Sequence, residues 1–400
     1  MNKNILKTGV QEFIENNYGT DIMSVLLSKP VFPDISPQEL AQQLSGKNKA
    51  KNKLPTWFQK PGIYYPPNVN LEQTSSEITG RYKAELVRGE TMADLTGGFG
   101  VDTYFFSKAV PLLIHCELDE ELHEIAQHNA KVLGVSQVQF HHGDGIAFLK
   151  QTDKTFDWIF LDPGRRTSSN KKVFLLSDCE PDVILHRDLL LHKGAQVMVK
   201  TSPMLDLKAG IEQFGSVAEI HVVAVENEVK ELLWILQKDA TQEKIEITAV
   251  NLTKGRKESL EFRWIDERSA ACSFGPPLDY LYEPHSALLK AGAFKTVCKT
   301  YAVDKLHEHS HLYTSREHLS FPGRSFRIDQ VIPFNKKNLR RLKGEKANVS
   351  ARNFPLSVAG IRKKFGIKDG GEVYLFFTTN NIGENIVIQS SKISSPDIPT

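Results

Sequence analysis

The segment Asp94-Leu-Thr-Gly-Gly-Phe-Gly-Val-Asp102 lies where a predicted first strand ends and a helix begins. Glycines in such a turn let the backbone approach a ligand closely, as in the dinucleotide-binding fingerprint. A tight strand-to-helix connection without a ligand would use the same residue types. Other features of the chain are therefore needed to distinguish a ligand-binding turn from a purely structural connection.

Acidic residues follow three further predicted strands. Glu117 closes the apolar strand after the glycines, where this class of fold places a ribose-binding carboxylate. Asp144 follows the third strand, and Asp162-Pro163 closes the fourth. Because an open α/β sheet binds its ligand at the carboxyl ends of its strands, these positions predict a single ligand crevice.

The pattern of apolar residues divides the chain. Residues 1–70 read as an N-terminal helical extension, and residues 71–240 alternate strand and helix, which predicts a mostly parallel, buried sheet. Two apolar runs joined by Glu226-Asn227-Glu228 predict an antiparallel hairpin at the sheet edge. Residues 241–275 read as a linker hairpin, and a new unit opens after them.

Composition limits the function classes. The 400 residues are 40% hydrophobic, which excludes a disordered tail or a coiled coil. No signal peptide or membrane-spanning run is evident, so we expect a cytoplasmic protein without a membrane partner. The four cysteines are widely spaced and predict reduced thiols. His307, His309 and His311 lack cysteine or acidic partners, so we expect no metal.

The net charge of +2 hides one strongly basic segment. Residues 321–370 hold 13 Lys and Arg residues against 3 acids, a net of +10. A basic module on an otherwise acidic chain is typical of a nucleic-acid-binding appendage, with a solvated helix face as the alternative. We take four of these residues as candidate substrate-binding groups: Lys336, Lys337, Arg340 and Arg341.

Residues 71–240 resemble the class I S-adenosylmethionine-dependent methyltransferases. The resemblance implies an α/β fold with a Rossmann-like, seven-stranded sheet, and S-adenosyl-L-methionine as cofactor. It places the methionine end of the cofactor against Asp94, Thr96, Gly97, Gly98 and Gly100, the ribose against Glu117, and the adenine against Asp144. It makes Asp162 and Pro163 the catalytic loop, which continues into Arg165 and Arg166.

Two departures from the common motifs bear on the substrate. Thr96 replaces the first glycine, as in a bacterial family of ribosomal-RNA guanine-N2 methyltransferases, which favours RNA. The catalytic tetrapeptide reads Asp-Pro-Gly-Arg and lacks the aromatic with which base-amine methyltransferases stack on the base. Arg165 and Arg166 would instead hold phosphate or stack on a base, with a loop salt bridge as the alternative.

Further candidates flank the motif. Gln73 and Ser75 precede the first strand by one helix, where class I enzymes often line the cofactor carboxylate, although a helix cap also explains a serine there. Lys200 ends the fifth predicted strand and is a candidate for substrate contact, with a solvated lysine as the alternative. No cysteine nucleophile occurs in DPGRR or VKTSPM, which excludes carbon-5 pyrimidine methylation.

Motifs along nearly the whole chain resemble one bacterial family of methyltransferases. They are EQTSSEITGRYKAEL, DLTGGFGVD, LDPGRR, VKTSPM, KLHEHSHLYTS, FPGRSF and ANVSARNFPLS. The resemblance implies a ferredoxin-like module over 276–319, a THUMP-like basic domain over 320–400, and an RNA substrate. We expect methylation of a base in structured ribosomal or transfer RNA, on an exocyclic amine if that base has one in reach. The alternatives are a protein or small-molecule substrate, or an RNA-binding protein with a vestigial cofactor site; the oligomeric state stays open.

Overall fold

The computed structural model describes residues 1–165 and 176–393, with the backbone alone at Arg165. Two compact units divide the chain by their internal contacts. The first comprises Met1–Ala218 and Leu233–Ala240, and the second comprises Glu219–Leu232 and the described residues from Thr241 onward. Each unit is described in turn.

Helices form the N-terminal region, beginning with a 3-10 turn at Lys3–Leu6. A capping box starts the longest of them, since Ser36 Oγ accepts from the Glu39 amide and Glu39 returns a carboxylate to the Ser36 amide. That helix includes the lysine-rich residues 46–53, of which Lys47 is buried and donates to the Phe58 carbonyl at 2.9 Å. The helices are α1 (Thr8–Asn17), α2 (Ile22–Leu26), α3 (Pro37–Lys53), α4 (Pro55–Gln59), α5 (Asn68–Gln73) and α6 (Glu77–Leu86).

Alternating strands and helices follow, as the sequence predicts. They are β1 (Thr91–Asp94), α7 (Val101–Phe106), β2 (Leu112–Glu117), α8 (Glu120–Val132), β3 (Val138–His142), α9 (Gly145–Gln151), β4 (Phe156–Leu161), β5 (Gly164–Arg165), β6 (Cys179–Glu180), α10 (Val183–Lys193), β7 (Gly194–Thr201), α11 (Leu207–Phe214), β8 (Val217–Val225) and β9 (Glu228–Leu236). A 3-10 turn at Leu176–Asp178 precedes β6. Glu226 and Asn227 both have positive φ, as a two-residue hairpin turn of the primed type requires.

The second unit adds further strands and helices in chain order. They are β10 (Glu246–Thr253), β11 (Arg256–Arg263), α12 (Trp264–Ser269), β12 (Tyr280–Pro284), α13 (Ser286–Ala291), α14 (Phe294–Tyr301), β13 (Asp304–Lys305), β14 (Tyr313–Ser315), β15 (Gly323–Pro333), α15 (Lys336–Leu339), β16 (Asn348–Arg352), α16 (Val358–Phe365), β17 (Val373–Thr379) and β18 (Asn385–Lys392). Short 3-10 turns lie at Gln242–Lys244 and Arg340–Leu342.

The large sheet has the strand order β11-β10-β8-β9-β7-β4-β1-β2-β3. Strands β3, β2, β1, β4 and β7 pair in parallel. The predicted seven-stranded sheet is therefore present, but it is extended to nine strands. The extension comes from the range predicted as a linker, because β10 pairs in parallel with β8 and antiparallel with β11.

A second sheet organises the C-terminal region, with the order β13-β14-β12-β15-β18-β17-β16. A buried carboxylate joins three of its strands: Glu283 on β12 accepts from Arg324 on β15 and Arg352 on β16. Two cations of the basic segment are thus structural, because a buried carboxylate needs paired charges and hydrogen bonds.

The structure differs from the prediction that all four cysteines are reduced thiols. Cys272 and Cys298 form a disulfide between the segment after α12 and helix α14. Cys116 and Cys179 are buried and form no disulfide. The wide spacing in sequence hid the pair because the 26-residue separation closes only through the tertiary fold.

Candidate functional site

The carboxyl ends of the parallel strands border a cavity of about 140 Å³ in the first unit. Predicted site residues form much of its lining: Gln73, Ser75, Asp94, Thr96, Gly97, Gly98 and Asp162. Asn70, Phe99, Asp102 and Phe160 also line it. The helix before β1, the glycine turn and the Asp-Pro loop therefore meet around one space, as the crevice rule for α/β sheets requires.

Asp94 is fully buried at the end of β1. Its carboxylate accepts from the Thr96 amide at 3.2 Å and from Thr103 Oγ1 at 2.7 Å. Burial raises the pKa of Asp94 to about 7, against the opposing effect of these hydrogen bonds. The residue braces the glycine turn and also presents a carboxyl group to the cavity.

Gly97 lies against the imidazole of His115, one strand away. A Cβ at Gly97 would overlap the His115 ring, so only glycine lets the turn approach β2 this closely. The Gly97 amide donates to the Cys116 carbonyl at 2.8 Å, which fixes the turn on β2. Burial lowers the pKa of His115 to about 3, so the ring is neutral, with Nδ1 2.8 Å from Thr103 Oγ1.

Glu117 and Asp144 take positions beside the cavity rather than in its lining. Glu117 accepts from the Gly98 amide at 2.8 Å and from the Asp119 amide at 2.8 Å. Asp144 is exposed and caps α9 by accepting from the Ala147 amide at 2.6 Å. Gly100 has a φ of +85° and starts α7 without lining the cavity. Their predicted contacts with ribose, adenine and methionine stay predictions.

Asp162 is held from two sides. Its amide donates to Thr96 Oγ1 at 2.7 Å, so the threonine that replaces a glycine links the glycine turn to the Asp-Pro loop. Its carboxylate pairs with the Lys200 ammonium at the end of β7. Lys200 was predicted as a substrate contact; in the structure it holds Asp162, and its side chain is only 12% exposed.

A buried lysine that sequence reasoning missed lies behind the cavity. Lys83 Nζ donates to Ser75 Oγ at 3.0 Å and lies 3.2 Å from Asp102 Oδ1. Ser75 Oγ donates in turn to Asp102 Oδ2 at 2.7 Å. Neighbouring Ser76 caps α6, so the cap and the cavity use different serines. Lys83 reads as an ordinary helix residue in the sequence, where nothing marks it as buried.

The remaining catalytic candidates are only partly described. Pro163 follows Asp162 and is half-buried. The backbone of Gly164–Arg165 forms β5, which pairs antiparallel with Cys179–Glu180. Arg166 lies outside the described residues. The roles predicted for Arg165 and Arg166 therefore stay predictions.

The cavity suits the cofactor that the sequence resemblance implies. Asp102 lines the cavity, and its buried Oδ1 lies 3.2 Å from the Lys83 ammonium, so a carboxylate and an ammonium stand together beside this space. The glycine turn leaves open space at Gly98, where the nearest atom to an added Cβ would be the Thr96 carbonyl oxygen at 3.9 Å. These residues therefore match the charged amino-acid end of S-adenosylmethionine.

A second cavity, of about 780 Å³, lies in the second unit within the basic segment. Phe334 and Phe365 provide aromatic surface. Four cations surround them, and none forms an ion pair within the described parts of the chain: Lys336, Arg340, Lys343 and Lys364. Of the other predicted residues, Lys337 is exposed and Arg341 donates to Gln330 at 2.7 Å.

Two features are absent from residues 1–165 and 176–393. No group of three or more His, Cys, Asp or Glu side chains there has the geometry to hold a metal ion. None of the helices in that part of the chain is both long and apolar enough to cross a bilayer.

Comparison with solved structures decides the family. The chain matches the crystal structure of a "putative methyltransferase" from Porphyromonas gingivalis W83 with 34% identity and a TM-score of 0.89. The match covers 98% of this chain and 99% of that one. The chain belongs to this methyltransferase family. The predicted resemblance to a methyltransferase family is thus confirmed, together with the α/β fold. S-adenosyl-L-methionine as the cofactor stays a prediction.

Family descriptions match the C-terminal region of this methyltransferase. A ferredoxin-like domain matches residues 280–322, and a THUMP domain-like family matches residues 323–392. No curated protein matches the chain.

Other solved structures match less well. A class I S-adenosylmethionine-dependent methyltransferase of Listeria monocytogenes has 13% identity and a TM-score of 0.36, over 60% of this chain and 85% of that one. An rRNA methylase of Streptococcus thermophilus has 13% identity and a TM-score of 0.31, over 40% and 94%. Both structures are too distant from this chain to indicate its function.

Proposed function

We propose that this methyltransferase methylates a base in structured RNA, ribosomal or transfer, with Asp162 at the acceptor and the basic segment on the RNA backbone. One observation carries the proposal: Asp162 is fixed beside the glycine turn by Thr96 and Lys200, at the mouth of a cavity lined by Ser75 and Asp94. A carboxylate so placed can receive a proton from a nucleophile that enters the same space.

The chain's own residues have limited chemistry to perform. S-adenosylmethionine, when bound, supplies an electrophilic methyl group on a sulfonium. Asp102, Ser75 and Lys83 suit the amino-acid end of this cofactor by charge and hydrogen bonding. Placement of the acceptor in line with the methyl group contributes most, since orientation can lower a barrier by about 7–11 kcal/mol.

Asp162 is suited to an amine acceptor. Its carboxylate is held by the Lys200 ammonium, yet its side chain remains 34% exposed and open to a substrate. It can accept a hydrogen bond from an exocyclic N–H, with the Pro163 carbonyl as a second acceptor. When the amine nitrogen forms its bond to the methyl carbon, it loses a proton, which the carboxylate can take.

Support for RNA comes from the basic segment. The exposed cations Lys336, Arg340, Lys343 and Lys364 can neutralise phosphates, and the rings of Phe334 and Phe365 offer stacking surface. Charge together with aromatic surface fits an RNA with unpaired nucleotides better than a protein or a small metabolite.

RNA binding by this segment is tested by neutralisation. We expect Lys336→Gln combined with Arg340→Gln and Lys343→Gln to weaken RNA binding and to flatten its salt dependence, because fewer counterions are released. Lys29→Gln with Lys60→Gln and Lys154→Gln, three exposed lysines of the first unit, is the matched control. Unchanged affinity and salt dependence in the triple variant would refute RNA binding by this segment.

A further inference from the structure

A cavity of about 790 Å³ in the second unit takes no part in the proposed methyl transfer. Its walls come from the segment after α12, the start of α14 and the loop between β13 and β14. The disulfide between Cys272 and Cys298 ties the first two walls together. The space is within the range of small-molecule sites in proteins, about 300–1,000 Å³.

The loop between β13 and β14 contains His307, His309 and His311 and turns back on itself. Leu306 and Leu312 close it by a backbone hydrogen bond of 3.0 Å. Inside it, the Ser310 amide and hydroxyl both donate to the His307 carbonyl, at 3.2 and 3.1 Å. His311 has a φ of +52°, and its ring forms part of the cavity wall.

A buried ammonium group faces the cavity without a carboxylate partner. Lys305 is 4% exposed, and its Nζ donates to the Glu308 carbonyl at 2.6 Å. The same nitrogen lies 5.1 Å from the centre of the Phe294 ring. Among the described residues, Lys305 forms no ion pair, and burial lowers its pKa. A buried cation in this position is stabilised by an anion that enters the cavity.

The acids that face the cavity leave this cation available. The Glu267 carboxylate binds the start of α14, where it accepts from the Lys295 amide at 2.7 Å and from the Thr296 amide at 2.8 Å. The side chain of Glu308 is 76% exposed and lies 3.9 Å from His309. Lys295 adds a second ammonium to the lining.

An imidazole and two aromatic rings complete the surface. The His311 ring stacks on Phe294, with centroids 3.8 Å apart and planes at 22°. Its Nδ1 is buried and has no hydrogen-bond partner among the described residues. Phe274, whose backbone forms a parallel bridge with Lys305, is 50% exposed. The cavity thus offers flat apolar surface next to an unpaired ammonium and a free imidazole nitrogen.

We infer that this cavity binds a nucleoside phosphate, with the phosphate at Lys305 and Lys295 and the base against the exposed ring of Phe274. Aromatic faces accept a nucleobase by stacking, and ammonium and imidazole groups donate to phosphate oxygens. The inference does not depend on methyl transfer. The nucleotide can be free, or it can be one unit of an RNA chain.

Calorimetric titration of the full-length protein with uridine monophosphate tests the inference. Saturating S-adenosylhomocysteine is present, so that the first unit's cavity does not compete. We expect saturable binding that Lys305→Met and Phe274→Ala each weaken at least about tenfold. Lys299→Met, on an exposed position of α14 outside the lining, is the control and should bind as the parent does.

Phe274→Ala should fold as the parent does, because the exposed ring of Phe274 can be removed without opening the core. Loss of binding in this variant would therefore not reflect misfolding. Binding of hexauridylate and of the mononucleotide is compared in the Lys336→Gln, Arg340→Gln, Lys343→Gln background, which removes the basic segment's own RNA binding. Tighter binding of hexauridylate there would identify RNA as the source, and the reverse order would identify a free nucleotide. No saturable binding of either ligand, or binding unaffected by both Lys305→Met and Phe274→Ala, would overturn the inference. Loss of methyl transfer does not enter the readout, so failure here leaves the proposed function untouched.

Discussion

The amide of Asp162 donates a hydrogen bond to Thr96 Oγ1 at 2.7 Å, joining the Asp-Pro loop to the glycine turn. This contact gives a physical reason for a threonine where related motifs have glycine. A glycine there would leave the Asp162 amide without this acceptor. The loop that presents Asp162 is thereby fixed to the turn that lines the cofactor cavity.

Replacement of Thr96 by valine should therefore impair the chemical step. Valine keeps the shape but removes the acceptor, and an unsatisfied donor costs about 1–3 kcal/mol, so we expect kcat to fall about tenfold or more. Calorimetry should show S-adenosylmethionine affinity changed much less. Thr96→Ser keeps the hydroxyl and should retain most activity; equal losses in the two variants would contradict the role given to this bond.

Lys200 offers a test between positioning and substrate binding. Because its ammonium pairs with Asp162, Lys200→Met should lower kcat about tenfold or more and leave KM for RNA nearly unchanged. Lys200→Arg keeps the charge and should recover part of kcat. A rise in KM with kcat preserved would instead assign Lys200 to the RNA.

Gly97 should tolerate no side chain. The Cβ of Gly97→Ala would overlap the His115 ring, and overpacking of this kind costs about 1–3 kcal/mol, so S-adenosylmethionine affinity should fall about tenfold. Combination with His115→Ala makes room and should restore binding in part. Gly19→Ala, where an added Cβ meets nothing within 4 Å, is the control. Failure of the double variant to recover would show that the clash is not the cause.

Asp94 should make stability depend on pH. Its folded-state pKa of about 7 lies above the ordinary value of 3.8, so the folded chain holds a proton that the unfolded chain has released. Its contribution is fully present below about pH 4 and is lost as pH rises through 7, a change of up to about 4 kcal/mol.

The neutral His115 has the opposite effect. Its folded-state pKa of about 3 lies below the ordinary value of 6.5, so the free energy of unfolding decreases as the pH falls below 6.5. Comparison of Asp94→Asn with the parent cancels this histidine effect. Urea unfolding from pH 4 to 8 should show the variant gaining on the parent as pH rises. A difference that stays constant over this range would contradict an elevated pKa at Asp94.

Local signals account for what the sequence predicted. Apolar residues with a period of two or 3.6 predicted the alternating strands and helices. The acids at the ends of predicted strands identified Asp94, Glu117 and Asp162 as candidates. The hairpin at Glu226-Asn227 was visible from its turn residues. These features depend on neighbours in the chain, so a single sequence contains them.

Contacts between distant segments account for what it missed. Lys83 is buried only because α6 packs against α7, which brings Ser75 and Asp102 to its ammonium. Lys200 reaches Asp162 from a neighbouring strand, and Cys272 meets Cys298 through the fold of the second unit. The extra strands β10 and β11 read as a linker because alternation alone does not show which strand they pair with.

The central claim is tested most directly by transfer of labelled methyl from S-adenosylmethionine to total RNA from a strain lacking the gene. We predict label in one RNA size class with the parent protein, and its loss with Asp162→Asn, which keeps the shape but not the charge. Cofactor binding by calorimetry, measured on the same preparation, is the control. Bound cofactor with no label in any RNA would contradict the account and point to a protein or small-molecule substrate.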